Sequence, residues 1–92
     1  MANSKMPIYS TLKYKSFTKR DTVNANSHTN ITIDFGETIS NIKGIIINKT
    51  SNGAYVMGNV DGWTNTYATI GAYNTHPSSD IEGLFSITVL YE

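Results

Sequence analysis

At 92 residues, with seven basic and seven acidic side chains, the chain is one neutral domain. That balance leaves no basic surplus for a nucleic-acid backbone and no acidic tail, and the lack of cysteine excludes disulfides, thiolate metal sites and thiol nucleophiles. Charged residues are 15% of the chain while Ser, Thr and Asn make up about a third, so the surface is hydrated without strong charge, a pattern suited to extracellular or virion proteins that meet neutral partners.

Helical periodicity is absent. Thr, Ile, Val, Tyr and Phe dominate between turn residues spaced every eight to twelve positions, which predicts an all-β sandwich or barrel. Residues 1–9 are expected to be a flexible N-terminal segment and 10–92 a single domain. Residues 1–7 lack the apolar stretch of a signal-peptide core, and no run reaches the roughly 20 apolar residues of a membrane span. A first strand over 10–23 carries Leu12 and Tyr14 at even positions and Phe17 at an odd one, a shift that suggests a bulge or a change of partner. Lys13, Lys15 and Lys19 share one face of it and read as a solvated outer edge, or else as a contact for an acidic partner or anionic polymer.

After a polar turn at 24–30, Ile31, Ile33 and Phe35 alternate with Thr32 and Asp34 as a strand with one buried face. A loop at 36–41 leads to a strand over 42–48 whose Ile45-Ile46-Ile47 run is apolar on both faces, so both should be covered, one of them by another subunit. The 49–53 stretch, KTSNG, reads as a hairpin turn through Asn52-Gly53, and Asp61-Gly62 marks a second turn at 60–65 after a strand over 54–59. In the strand at 67–73, Ala68, Ile70 and Ala72 face one way and Tyr67, Gly71 and Tyr73 the other. A loop at 75–82 precedes the last strand, where Phe85, Ile87, Val89 and Tyr91 oppose Leu84, Ser86, Thr88 and Leu90. The sum is a small antiparallel β-sandwich of about seven strands, jelly-roll-like or Greek key.

Catalytic chemistry needs a nucleophile with a base, paired carboxylates or a metal cluster. His28 and His76 fall in polar loops, the acids are dispersed, and Asp80 with Glu82 lies in too short an oxygen-rich loop for calcium. No catalytic residue, metal ligand or cofactor is assigned, and the chain reads as a binding protein. Its aromatic side chains carry the candidate surface, because Tyr and Trp combine an apolar ring with a polar tip. Trp63 follows Asp61-Gly62 and has three readings: a lid over one end of the sandwich, an intersubunit contact, or a sugar-stacking platform with Asp61 and Asn65 as hydrogen-bonding neighbours. The strip from Tyr55 through Asp61, Trp63, Asn65 and Tyr67 to Tyr73 is the expected ligand-binding surface.

The order "NIKGIIINKTSN", "GAYVMGNVDGW", "YATIGAYNT", "FSITVLYE", with the opening "YKSFTKRDTVNANSHTNITIDF", resembles the small terminal and receptor-binding domains of phage tail fibres, tail spikes and baseplate proteins. The resemblance runs from about Leu12 to Glu92 and rests on strand and turn residues, so no functional residue carries over from it. It implies a virion protein of a bacteriophage, a homotrimer, and a domain that binds a host-surface saccharide or protein receptor, made in the host cytoplasm. The absence of Lys and Arg after Lys49 supports self-packing of that half. Two rival readings are a stand-alone phage inhibitor that blocks a host defence protein by contact, and a bacterial carbohydrate-binding or adhesin module.

Overall fold

The computed structural model of the chain describes residues 12–49 and 55–92. Six strands follow one another: β1 (Lys13–Val23), β2 (Ser27–Asp34), β3 (Ile42–Lys49), β4 (Val56–Trp63), β5 (Tyr67–Asn74) and β6 (Ile81–Tyr91). They form two three-stranded antiparallel sheets, β1-β6-β3 (sheet A) and β2-β5-β4 (sheet B). The count is six where about seven were expected, and Asp61-Gly62, read as a turn, lies inside β4 at a bulge between Val60 and Gly62, so that strand runs on to Trp63. Backbone direction changes later, at 64–66. There the Thr64 hydroxyl accepts the N–H groups of Thr66 and Tyr67, and the Thr64 N–H donates to the Tyr67 carbonyl.

The chain nests its strands from the ends inward. β1 pairs with β6 and β2 with β5, while consecutive strands β1 and β2, β3 and β4, and β5 and β6 fall in opposite sheets. This is the interleaving of a jelly-roll ribbon in reduced form. The connections 24–26 and 75–80 therefore both cross between sheets at one end, with 35–41 and 64–66 at the other. The strands on either side of the expected hairpin at 49–53 are not partners: β3 pairs with β6 and β4 with β5. The Asn52-Gly53 dipeptide itself lies outside the described residues, as does the N-terminal segment 1–9.

Alternation fills the space between the sheets. Sheet A contributes Phe85, Ile87 and Val89 and sheet B Ile31, Ile33, Val56, Ala68, Ile70 and Ala72, all buried, and Phe35 and Ile39 of the 35–41 loop close the far end. Phe35 packs on Phe17 with ring centroids 5.0 Å apart. Glycines make room for the largest buried ring. A Cβ on Gly83 would come within 3.0 Å of the Phe85 ring, and one on Gly58, from the facing sheet, within 3.2 Å.

The β1–β6 register is unbroken from Lys13↔Tyr91 to Val23↔Ile81, so β1 has no bulge. Tyr14 faces outward opposite Leu90, and Phe17 inward opposite Ile87, which accounts for the change of parity. The same register puts Lys13, Lys15 and Lys19 in the inward row of β1, opposite Tyr91, Val89 and Phe85. As β1 is an edge strand, their ammonium groups escape sideways to water. Lys15 reaches Glu37 of the 35–41 loop at 2.8 Å. In β3, Ile45 and Ile47 face inward while Ile46 points out and is 52% exposed, so one face of that run is uncovered in the single chain.

Candidate functional site

The outward face of sheet B carries His28, Asn30, Thr32 and Asp34 from β2, Tyr67, Thr69, Gly71 and Tyr73 from β5, and Met57, Asn59 and Asp61 from β4. Register sets them in cross-strand rows: His28–Tyr73–Met57, then Asn30–Gly71–Asn59, then Thr32–Thr69–Gly62, then Asp34–Tyr67. Among the described residues, no Lys or Arg lies on this face.

Gly71 is buried on this outward face. Its missing side chain leaves room that Asn59 and Asp61 of β4 fill. A Cβ there would lie 3.1 Å from Asp61 Oδ2, 3.2 Å from Asn59 Oδ1 and 3.4 Å from Asp61 Oδ1. Asn59 and Asp61 are two apart in β4, so regular alternation brings both onto this face, and the bulge between Val60 and Gly62 changes the parity only of the residues that follow. Asn59 Nδ2 donates to Asp61 Oδ1 at 3.0 Å, which fixes the carboxylate and leaves Asp61 Oδ2 and Asn59 Oδ1 as acceptors above the glycine. Asn30 lies opposite Gly71 on the β2 side.

Tyr73 bounds one end. Its ring stacks on His28 at 4.7 Å with a 26° interplanar angle, and it is 41% exposed. Beyond it an open depression of about 350 Å³ is lined by Asn26, Ser27, His28, Tyr73, Asn74 and Thr75. The loops beneath are firmly tied. The buried Asn74 amide donates to the carbonyls of Val23 (2.9 Å) and Ser79 (2.8 Å) and accepts from the His76 N–H (2.9 Å). His76 Nδ1 in turn accepts from the N–H groups of Ser78 and Ser79, and Asp80 caps the N–H of Ala25.

The six residues singled out by sequence divide. Asp61, Tyr67 and Tyr73 share the outward face of sheet B, as expected of one surface. Trp63 pairs with the fully buried Ala68, which places it in the inward row at the end of β4, 44% exposed at the rim. Asn65 is in the 64–66 turn, where its carbonyl accepts the Ile39 N–H at 2.8 Å. Tyr55 lies at the opposite end of β4, its ring edge-on to His76 at 4.7 Å. Sequence reasoning missed Asn30, Asn59, Gly71 and His28. A readable signal existed: Gly71 interrupts the Tyr67–Thr69–Tyr73 row, and an outward row broken by glycine is a gap waiting for neighbours.

Among the described residues, no three His, Asp or Glu side chains gather as a metal site, and no helix is long and apolar enough to cross a membrane. Comparison with protein-family models, with curated proteins and with solved structures finds no match to this chain.

Proposed function

We propose that the protein is a binding domain without turnover chemistry, of the tail-fibre or baseplate type its sequence resembles, which recognises a host-surface saccharide through the outward face of sheet B. The observation that supports this reading is the composition of that face: exposed tyrosines beside the amide and carboxylate groups of Asn59 and Asp61, with no Lys or Arg there among the described residues. Saccharides are held by aromatic faces and by hydrogen bonds to their hydroxyls, each worth little, so one copy binds weakly. Assembly into a homotrimer multiplies that affinity by avidity. The outward face of sheet A suits the assembly contact. Tyr14 is 71% and Ile46 52% exposed there, and the rows Tyr14–Leu90–Gly44, Ser16–Thr88–Ile46 and Thr18–Ser86–Asn48 hold no charge.

The test uses the fluorescently tagged protein on intact bacterial cells, before and after periodate cleavage of surface glycans. Binding that periodate abolishes supports the reading. Capture of a host enzyme from cell extract, with no cell-surface binding, would decide for the inhibitor reading instead.

A further inference from the structure

We infer that the open depression at the end of sheet B, beside the His28–Tyr73 pair, is a preformed seat for one uncharged pyranose. The paired rings form its apolar wall, and the Asn26 carboxamide orients the sugar. This deepens the saccharide reading above and rests on it.

The depression follows from the topology. Ser27↔Asn74 and His28↔Tyr73 are the last pairs of the β2–β5 ladder. Beyond them the chain departs for the other sheet on both sides, through 24–26 to β1 and through 75–80 to β6. The space at that parting is about 350 Å³, at the lower end of the range of about 300–1,000 Å³ for small-ligand sites. The His28 and Tyr73 rings stand 4.7 Å apart, 26° from parallel, and β2 is an edge strand of sheet B, so no further strand covers the outer side of His28. Such a wall suits the C–H groups of a sugar ring.

The polar groups around the depression divide into spent and free. The Asn74 amide is taken by its three bonds to the loops beneath. Ser27 Oγ donates to the Ala25 carbonyl at 3.0 Å and Thr75 Oγ1 to the Tyr55 carbonyl at 3.2 Å. Among the described residues, the Asn26 carboxamide, the His28 ring nitrogens and the Tyr73 hydroxyl have no hydrogen-bond partner. Together they donate and accept, as a sugar hydroxyl does. The lining holds no Lys, Arg, Asp or Glu, so nothing in it forms an ion pair with a charged sugar. The frame is also fixed before binding. Asn26 has a left-handed φ of 50°, and its N–H donates to the His76 carbonyl at 2.9 Å, which keeps the ordering cost low. A polymer seated here continues over the Asn30–Gly71–Asn59 row, about 7 Å along the strands.

The experiment is binding of the fluorescently tagged full chain to intact bacterial cells, alongside Tyr73→Ala, Asn26→Gly and Tyr67→Ala, with a thermal melt of each. Glycine accepts the left-handed backbone at 26, so Asn26→Gly removes the carboxamide without straining the turn and stays informative if Tyr73→Ala fails to fold. The expected result is binding about tenfold weaker for Tyr73→Ala and about threefold weaker for Asn26→Gly, with a smaller loss for Tyr67→Ala at the far end of the face. Free methyl α-glucoside, α-galactoside or α-mannoside competes, and glucuronate does not. Full retention of binding by either folded variant, Tyr73→Ala or Asn26→Gly, overturns the inference. So does a loss in Tyr67→Ala that equals that in Tyr73→Ala, or competition by glucuronate and none of the neutral glycosides. In each case binding that periodate abolishes leaves the saccharide reading standing. Absence of any periodate-sensitive binding overturns both.

Discussion

Asn74 is the buried polar side chain among the described residues, and its amide joins the end of β5 to the end of β1 and to the 75–80 loop. Removing it strands two carbonyls and an N–H in the interior. Asn74→Ala should cost about 2–3 kcal/mol, read as a lower urea midpoint. Asn74→Asp should cost more, because a carboxylate would then face the carbonyls of Val23 and Ser79 without a proton to give. Gly83 carries a different constraint. A methyl group there meets the Phe85 ring at 3.0 Å and Val56 at 3.4 Å, so Gly83→Ala should destabilise by about 1–3 kcal/mol through overpacking. Lys15 yields a pH prediction. The hydrogen bond that the Lys15 ammonium donates to Glu37, reinforced by the carboxylate's charge, holds Lys15 above its ordinary 10.5 against a smaller opposing effect of burial. A folded-state value raised above the unfolded one means stabilisation that is complete below pH 10.5 and lost as pH climbs through the raised value. The stability difference between the unmodified protein and Lys15→Gln should thus be small, shrink with salt, and vanish at strongly alkaline pH in a series of denaturation curves.

At the scale of the strand, β1 shows how an open edge is kept from pairing with other chains. Its inward row runs Lys13, Lys15, Phe17, Lys19, Asp21, Val23, so a strand added alongside would have to cover charge. Replacing Lys13 and Lys19 by Val should leave the melting temperature nearly unchanged yet produce aggregates beyond the native mass in light scattering. The face read as a solvated edge from its lysines is thus an inward row that solvent reaches because the strand is marginal. Alternation alone made β2, β5 and β6 legible, since a period of two sorts Ile31, Ile33, Ala68, Ile70, Ala72, Phe85, Ile87 and Val89 inward without knowledge of partners. Pairing was not legible. Asn-Gly and Asp-Gly specify local backbone, and whether that becomes a hairpin, an arch between sheets or a bulge depends on which distant strand supplies hydrogen bonds. The candidate site failed in part for the same reason: the bulge at Asp61 shifts the parity of Trp63 relative to Asp61, sending one inward and the other onto the outward face.

Across the whole molecule, the first strand pairs with the last, Lys13 opposite Tyr91, and β2 waits for β5. Contacts so distant along the chain delay the gain from burial until large loops have closed. Refolding followed by tryptophan fluorescence in stopped flow should therefore fall in the range of about milliseconds to seconds. The two sheets also divide the outer surface by chemistry. Sheet A turns out an uncharged strip around Tyr14, Ile46 and Leu90, and sheet B turns out acceptors and tyrosines around Gly71. On this account one face assembles and the other recognises. The most direct test is an amide spectrum of the isotope-labelled protein titrated with polysaccharide extracted from the surface of the cells it binds. The account predicts shifts at Asn30, Asn59, Asp61, Gly71 and Tyr73, with the sheet A amides still. Shifts centred on Tyr14, Ile46 and Leu90, with sheet B unmoved, would contradict it.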